Sequence, residues 1–359
     1  MTRTAATTLP VPRDLHALDA AWMTAALAPA FPGAVVAQVE VGPVADGTNR
    51  RARVRLRYAA GQGPPSVFVK GPGRPRNRLA LAALGAHLLE ADLAAAGFAP
   101  PLAHARLLAG ARDPRRLAAA VVLGDVTEDG GVPNDGLRPL SAEELASGLS
   151  GLAALHAAFW ERPAPLGSIG PWHLGRALAP VSLFSLRRAA SLLARQNGPA
   201  LPRGAGPAAL ERQFRGSAAL ATRGAKTLLH GDPHPANTFT LPGGRLGFLD
   251  WQLCRTGVFV HDVGYFLVGS ATPETRRAEE RALLEHYLGE LRRHGVDLPG
   301  FGPTFALYRA TPAFGLATWL HTLAFNSFQP VATCHATIAR FAAAYVELEA
   351  DAALQDALA

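Results

Sequence analysis

The run Leu228-Leu229-His230-Gly231-Asp232-Pro233-His234-Pro235-Ala236-Asn237, with Gly247-Phe248-Leu249-Asp250-Trp251-Gln252 just downstream, holds the densest set of reactive side chains in the chain. His230 and His234 lie four apart, so zinc is the first reading to test. A helical zinc motif needs both imidazoles on one helix face, and Gly231, Pro233 and Pro235 forbid a helix there. A metal-dependent hydrolase built on His230, His234 and Asp250 therefore lacks its geometry. The spacing fits oxygen chemistry on a loop instead. Asp232 and Asn237 are five apart, and Asp250 follows 13 residues later at the end of an apolar, β-like run.

Phosphoryl transfer of the kinase type uses such a set. One carboxylate orients and deprotonates the acceptor hydroxyl, while an amide oxygen and a second carboxylate hold Mg2+ on the phosphates. Mg2+ is a hard cation and takes oxygen ligands. The chemistry also needs a strand lysine for the phosphates and a helical glutamate to hold that lysine. Val67-Phe68-Val69-Lys70 ends a β-branched run with one of only two lysines; the other 33 of the 35 Lys and Arg residues are arginine. Glu90 is the only glutamate between Lys70 and Glu128, and it falls in a stretch expected to be helical over 78–96. Gly47, Thr48 and Asn49 sit between two strand-like runs, where glycine allows close backbone approach to phosphates. Neither Gly-x-x-x-x-Gly-Lys-Ser/Thr nor Gly-x-Gly-x-x-Gly occurs, so P-loop and dinucleotide-binding folds lack their motif.

Outward from these motifs, the first third reads as β-rich. A helix is expected over 14–29, opening at Asp14, and strands over 34–41, 52–58, 66–70 and 118–123. The second strand alternates: Ala52, Val54, Leu56 and Tyr58 on one face, Arg51, Arg53, Arg55 and Arg57 on the other. From Ser141 onward the pattern is helical, beginning with a Ser141…Glu144 capping box and continuing through helices expected at 274–294, 303–325 and 331–356. Residues 196–207 read as a loop. The chain is thus α+β, with a small antiparallel-β part carrying one key helix, then a larger helical part.

These motifs, in this order, resemble the aminoglycoside phosphotransferase/choline kinase branch of the protein-kinase-like fold. They are most similar to its ecdysteroid-kinase-like (CHK kinase-like) phosphotransferases. The resemblance is carried by Gly47-Thr48-Asn49, Val69-Lys70, Val121-Val-Leu-Gly-Asp-Val-Thr127 and Leu152-Ala-Ala-Leu-His156. It continues through His230–Asn237, Leu249-Asp-Trp-Gln252 and His261-Asp-Val-Gly-Tyr-Phe266. It implies a bilobal fold, with residues 1–124 as a nucleotide-binding lobe that includes the 14–29 helix. Residues 125–359 would form a helical lobe with a catalytic loop at 228–252 and acceptor-binding helices. It implies ATP and Mg2+ as cofactors, Asp232 as catalytic base, and Asn237 and Asp250 as metal ligands. Lys70 would meet the phosphates with Glu90 as its partner, and Gly47, Thr48 and Asn49 would cover them. Leu123 and Asp125 would belong to the hinge that meets adenine, where relatives carry Glu-Asp and this chain has Gly124-Asp125. His230 and Asp262 would support the loop structurally, and His234 would approach phosphate or metal.

Asp262 lies only 12 positions after Asp250, too few for a peptide-docking activation segment, and no Ala-Pro-Glu follows. A protein substrate is not expected; a small-molecule alcohol is. From Leu298 to Val346 there is no Asp or Glu, while Phe301, Phe305, Tyr308, Phe314, Trp319, Phe325, Phe328 and Phe341 are present. A polycation would call for an acidic pocket, so the acceptor expected is a neutral, fairly apolar alcohol rather than an aminoglycoside or choline. A non-catalytic nucleotide-binding scaffold is the alternative of another class. The net charge of +7 is spread over scattered arginines with no basic–aromatic interleaving, so no nucleic-acid partner is expected. No 18-residue apolar run lacks charge or proline, and no signal-like leader precedes the first helix, so no membrane span is expected and the cytoplasm is the expected location. Two cysteines, Cys254 and Cys334, exclude a disulfide framework.

Overall fold

The computed structural model describes residues 9–172, 177–297, 300–325 and 328–359. The chain forms two compact units, residues 1–99 with 105–129, and residues 100–104 with 130–359. The first is a small antiparallel β lobe and the second a larger helical lobe, a bilobal α+β fold.

In the first unit the elements run α1 (Ala20–Leu27), β1 (Val35–Val41), β2 (Ala45–Asp46), β3 (Arg50–Ala60), β4 (Ser66–Gly71), α2 (Pro75–Ala83), α3 (Leu89–Ala95), β5 (Leu107–Asp113) and β6 (Ala118–Gly124). The strands order as β1-β3-β4-β6-β5, with β2 added to β3, and every pairing is antiparallel. The alternation read in β3 holds: Ala52, Val54 and Leu56 are buried while Arg51, Arg53, Arg55 and Arg57 are exposed. The buried face meets Met23 and Leu27 of α1 together with Val36, Val67, Val69 and Val122.

Two expected helices are shorter than their patterns. The 14–29 segment starts with a 3-10 turn, Leu15–Ala17, capped by Asp14; the α-helix begins only after Asp19, whose side chain accepts from Trp22 N. The 78–96 segment is two helices, α2 and α3. The first closes with Gly85 left-handed and Ala86 N bonded to Leu81 O, a C-terminal closure that apolar spacing does not reveal. Glu90 therefore belongs to α3.

The second unit contains β7 (Val132–Pro133), α4 (Ala142–Ala158), α5 (Ser182–Arg195), α6 (Pro207–Leu220), β8 (Thr227–Leu229), β9 (Thr238–Thr240), β10 (Leu246–Phe248), β11 (Arg255–Gly257), α7 (Val260–Ser270), α8 (Pro273–Arg293), α9 (Phe301–Arg309), α10 (Thr311–Phe325), α11 (Val331–Glu347) and α12 (Ala350–Leu358). The Ser141–Glu144 capping box opens α4 as read. The 303–325 helix breaks at Ala310, because Pro312 has no N–H for the Tyr308 carbonyl; the Thr311 hydroxyl donates to that carbonyl instead, at 2.8 Å. The 331–356 helix breaks at Glu349, which is left-handed. Phe214, Phe314, Trp319 and Phe341 are buried among α6, α7, α10 and α11.

The sheet register places Gly110, Val121, Lys70 and Arg51 in one row across β5, β6, β4 and β3. Helix α3 packs on β5, and a Cβ at Gly110 would collide with the Ala91 carbonyl. Close backbone approach at Gly110 thus brings the residue beside Ala91, Glu90, over the sheet. Gly110→Ala is expected to push α3 outward and destabilise the chain by about 1–3 kcal/mol, as overpacking does. Chemical denaturation of parent and variant measures it; an unchanged midpoint would contradict the close approach.

Candidate active site

In the first unit, Lys70 ends β4 and its Nζ lies 2.9 Å from both carboxylate oxygens of Glu90. Both side chains are largely buried, so the pair is shielded from the solvent screening that weakens surface ion pairs. The turn holding Gly47, Thr48 and Asn49 joins β2 to β3 and is pinned from α2: Asn77 donates to Gly47 O at 2.8 Å, and Arg74 pairs with Asp46 at 2.8 Å. Leu123 is buried in β6 opposite Phe68. Asp125 follows the end of β6, and its carboxylate is turned into its own lobe. It pairs with Arg53 at 2.7 Å and accepts from Ser66 Oγ at 2.6 Å and from Thr127 N and Oγ1. Burial opposes its charge, but the Ser66, Thr127 and Arg53 contacts outweigh it and hold the carboxyl below the usual range.

In the second unit, two short ladders present two loops. Strand β8 pairs with β11 and β9 with β10, leaving 230–237 and 249–254 at their ends. Leu249 N donates to Asn237 O at 2.8 Å and ties the loops together. Gly231 takes φ +87, and a Cβ there would collide with the Leu253 carbonyl, so only glycine turns this corner. Asp262, buried in the first turn of α7, accepts from the backbone of His230 at 2.6 Å and of Gly231 at 3.0 Å. His156 stands 3.3 Å from the same carboxylate and is held on its other nitrogen by the Tyr287 hydroxyl at 2.7 Å.

These bonds set the direction of Asp232. Its backbone N–H donates to His230 Nδ1 at 3.3 Å, so the His230 proton sits on Nε2 and points to Leu249 O, 3.0 Å away. Asn237 Nδ2 donates to Asp232 O at 3.0 Å and to Asp232 Oδ2 at 3.1 Å, leaving Asn237 Oδ1 outside both bonds. Asp250 enters from the other loop in a left-handed conformation, φ +70. Burial, then the Asp250 charge, push the Asp232 carboxyl well above the usual carboxylate range, against the opposing pull of Tyr265 and Asn237. His234 lies 3.6 Å from Asp232 and packs edge-on against Trp319; burial lowers it to about 4, so it is neutral at pH 7.

Asp232, Asn237, Asp250, His230, His234 and Asp262 thus form one cluster, and Lys70 and Glu90 another. Sequence reasoning assigned no part to His156, Tyr287 or Tyr265. Tyr265 lies three residues after Asp262, on the same side of α7, and that spacing was the available signal. Four of the eight aromatics from Phe301 to Phe341 are core: Tyr308, Phe314, Trp319 and Phe341 are buried.

A model of the phosphotransferase enzyme family (APH) matches residues 40–299. Comparison with curated proteins finds no match. Among solved structures, a macrolide 2′-phosphotransferase from Brachybacterium faecium is 19% identical with a TM-score of 0.47, covering 87% of this chain and 95% of that one. A protein of Ralstonia eutropha assigned as an aminoglycoside phosphotransferase is 14% identical with a TM-score of 0.50, covering 91% and 96%. A choline kinase from Streptococcus pneumoniae is 15% identical with a TM-score of 0.46, covering 91% and 97%. At 14% identity the likeness to the Ralstonia eutropha protein is one of fold alone.

A carboxyl raised on folding takes up its proton at higher pH in the native chain than in the unfolded chain. Its ionisation therefore costs stability as pH rises from the ordinary value near 3.8 through the native value. Asp232→Asn removes that cost. The variant should melt roughly 2–4 °C above the parent at pH 8, the size of an effect of about 1 kcal/mol in a long chain, and the gap should close toward pH 4. A constant gap across that range in metal-free buffer would contradict the raised value.

Proposed function

Because the chain belongs to the phosphotransferase enzyme family, we propose that it moves the γ-phosphoryl group of Mg·ATP to a hydroxyl of a small molecule. The observation that carries this reading is the cluster around Asp232, a carboxyl raised in affinity for protons and fixed on a rigid loop between an amide and a second carboxylate. Within the family we place the chain with the ecdysteroid-kinase-like branch, on its His230–Asn237 and His261–Phe266 runs.

Asp232 acts as the base. The acceptor hydroxyl gives its proton to the Asp232 carboxylate as its oxygen attacks the γ-phosphorus in line; the bond to the bridging oxygen breaks, and ADP leaves with that electron pair. Asp262, through the His230 and Gly231 amides, keeps the base from swinging away. Asn237 Oδ1 and Asp250 are the residues that would hold Mg2+, and the fit is chemical: both offer hard oxygens, and Asp250 repels a carboxylate beside it, a repulsion a dication relieves. Bound there, the ion neutralises charge on the phosphates. Lys70, braced by Glu90, binds the phosphates, with the Gly47–Asn49 turn covering them. Residues 1–124 serve the nucleotide, residues 125–359 the acceptor and the chemistry. Asp125 is committed to Arg53 and Ser66, so the base of the nucleotide is left to main-chain groups near Leu123.

The acceptor is a neutral, fairly apolar alcohol. No carboxylate occurs from Leu298 to Val346, and the first two of the four acidic residues that follow are engaged: Glu347 with Arg276 and Arg277, and Glu349 with Arg309. A protein acceptor is disfavoured because β11 and α7 begin almost at once after Asp250, with no docking segment between. No helix among the described residues is long and apolar enough to cross a membrane. The two cysteines are free and buried, in keeping with a reducing cytoplasm.

Asp232→Asn should lower kcat by about 10²–10⁴-fold, the value of a positioned base, with ATP affinity spared, whereas Asp250→Ala should damage both. Full turnover in Asp232→Asn would remove the base from this residue. For the acceptor, single-turnover transfer to kanamycin should be far slower than to hydrophobic alcohols. Equal rates would return the chain to the aminoglycoside-type alternative, and nucleotide binding without any transfer would favour a non-catalytic scaffold.

A further inference from the structure

Strand β3 carries arginine at every exposed position of its central stretch, and three of these residues have different surroundings. Arg53 pairs with Asp125 at 2.7 Å and Arg55 with Glu40 at 3.7 Å. Arg51 is exposed, and no described carboxylate stands within ion-pair distance of it. The register sets Arg51 directly opposite Lys70 of β4. Directly opposed residues share a sheet face with Cβ atoms about 4.5–5.5 Å apart, and like charges so placed repel. Glu90 matches the Lys70 charge with two 2.9 Å contacts; no described carboxylate does so for Arg51.

The guanidinium is directed toward the glycine turn. A Cβ placed on Gly47 would lie 3.7 Å from Arg51 Nη1. That turn is held by Asn77 and by the Arg74–Asp46 pair, and Lys70 stands opposite Arg51 on the neighbouring strand. Arg57, the last of the row, lies opposite Gln38, away from the lysine. An uncompensated cation next to a second cation is a cost in the empty fold that a polyanion would convert into binding. A guanidinium suits phosphate because its planar fork donates two parallel bonds.

We propose that Arg51 is a second phosphate-binding residue, gripping the polyphosphate of the nucleotide beside Lys70; this rests on the reading of Lys70 as the phosphate lysine. The exposed face of β3 then does two jobs. Its Arg53 and Arg55 are neutralised within the lobe, and its Arg51 is kept for the ligand. Because the strand fixes the backbone of Arg51 and the sheet fixes that of Lys70, the two cations meet a triphosphate with little left to reorganise.

Calorimetric titration of the full chain in Mg2+ tests this, with ATP, inorganic tripolyphosphate and adenosine as probes. Arg51→Gln should weaken ATP and tripolyphosphate about 10-fold or more, the value of a charge-assisted bond, with adenosine unchanged. Arg51→Lys should recover part of the loss, and the salt dependence of ATP binding should be shallower in Arg51→Gln. The melting midpoint of ligand-free Arg51→Gln should be no lower than that of the parent, since a repulsion has been removed. Unchanged ATP affinity in Arg51→Gln, with Lys70→Ala losing it, would overturn the assignment of Arg51 and leave the kinase reading standing. Equal losses for ATP and adenosine would overturn it as general damage to the lobe. No nucleotide binding by the parent would overturn both.

Discussion

One buried carboxylate holds the 230–237 loop of the helical lobe in shape. Asp262 takes the backbone N–H groups of His230 and Gly231, and His156 stands against it. Buried N–H groups deprived of acceptors cost about 1–3 kcal/mol each, so the loop has no cheaper place to go. Asp262 sits in the first turn of α7, where the helix dipole favours negative charge. From this anchor the order passes outward: Gly231 turns the corner, His230 fixes its tautomer on Leu249 O, Asp232 is presented, and Asn237 ties back to it. The second loop joins through Leu249 N on Asn237 O. A loop of eight polar and proline-rich residues thereby behaves as part of the core.

The other half of the account concerns charge. The Asp250 charge adds to burial in raising the Asp232 carboxyl, and elsewhere the helical lobe pairs its charges: Arg276 with Glu280 and Glu347, Arg277 with Glu347, Arg309 with Glu349. In the β lobe Arg50, Arg53, Arg55 and Arg74 each meet a carboxylate, and no described carboxylate pairs with Arg51.

Much of this was legible in the residues, and the reasons are specific. The β3 alternation, the Ser141–Glu144 cap and the Lys70–Glu90 spacing are local or near-local patterns with a geometric meaning, and the structure shows each in place. Helix ends were less legible. The breaks at Gly85, Ala310 and Glu349 lie inside continuous apolar patterns, where periodicity is blind to a closing turn. The partners of Asp262 were out of reach for another reason: His156 and Tyr287 are 106 and 131 residues distant from the groups they meet, and only the packing of α4, α7 and α8 brings them together. The aromatic run at 301–341 divides evenly, because spacing alone does not tell a partly exposed ring from a core ring: Tyr308, Phe314, Trp319 and Phe341 are buried, whereas Phe301, Phe305, Phe325 and Phe328 are not.

The central claim is transfer of a phosphoryl group to a small alcohol. Incubating the chain with Mg·ATP and a mixed panel of neutral, apolar alcohols, then weighing the products by mass spectrometry, tests it most directly. The account predicts at least one alcohol heavier by one HPO3 unit, formed in equal amount with ADP. ADP accompanied only by inorganic phosphate, or no ADP with any alcohol in the panel, would contradict it.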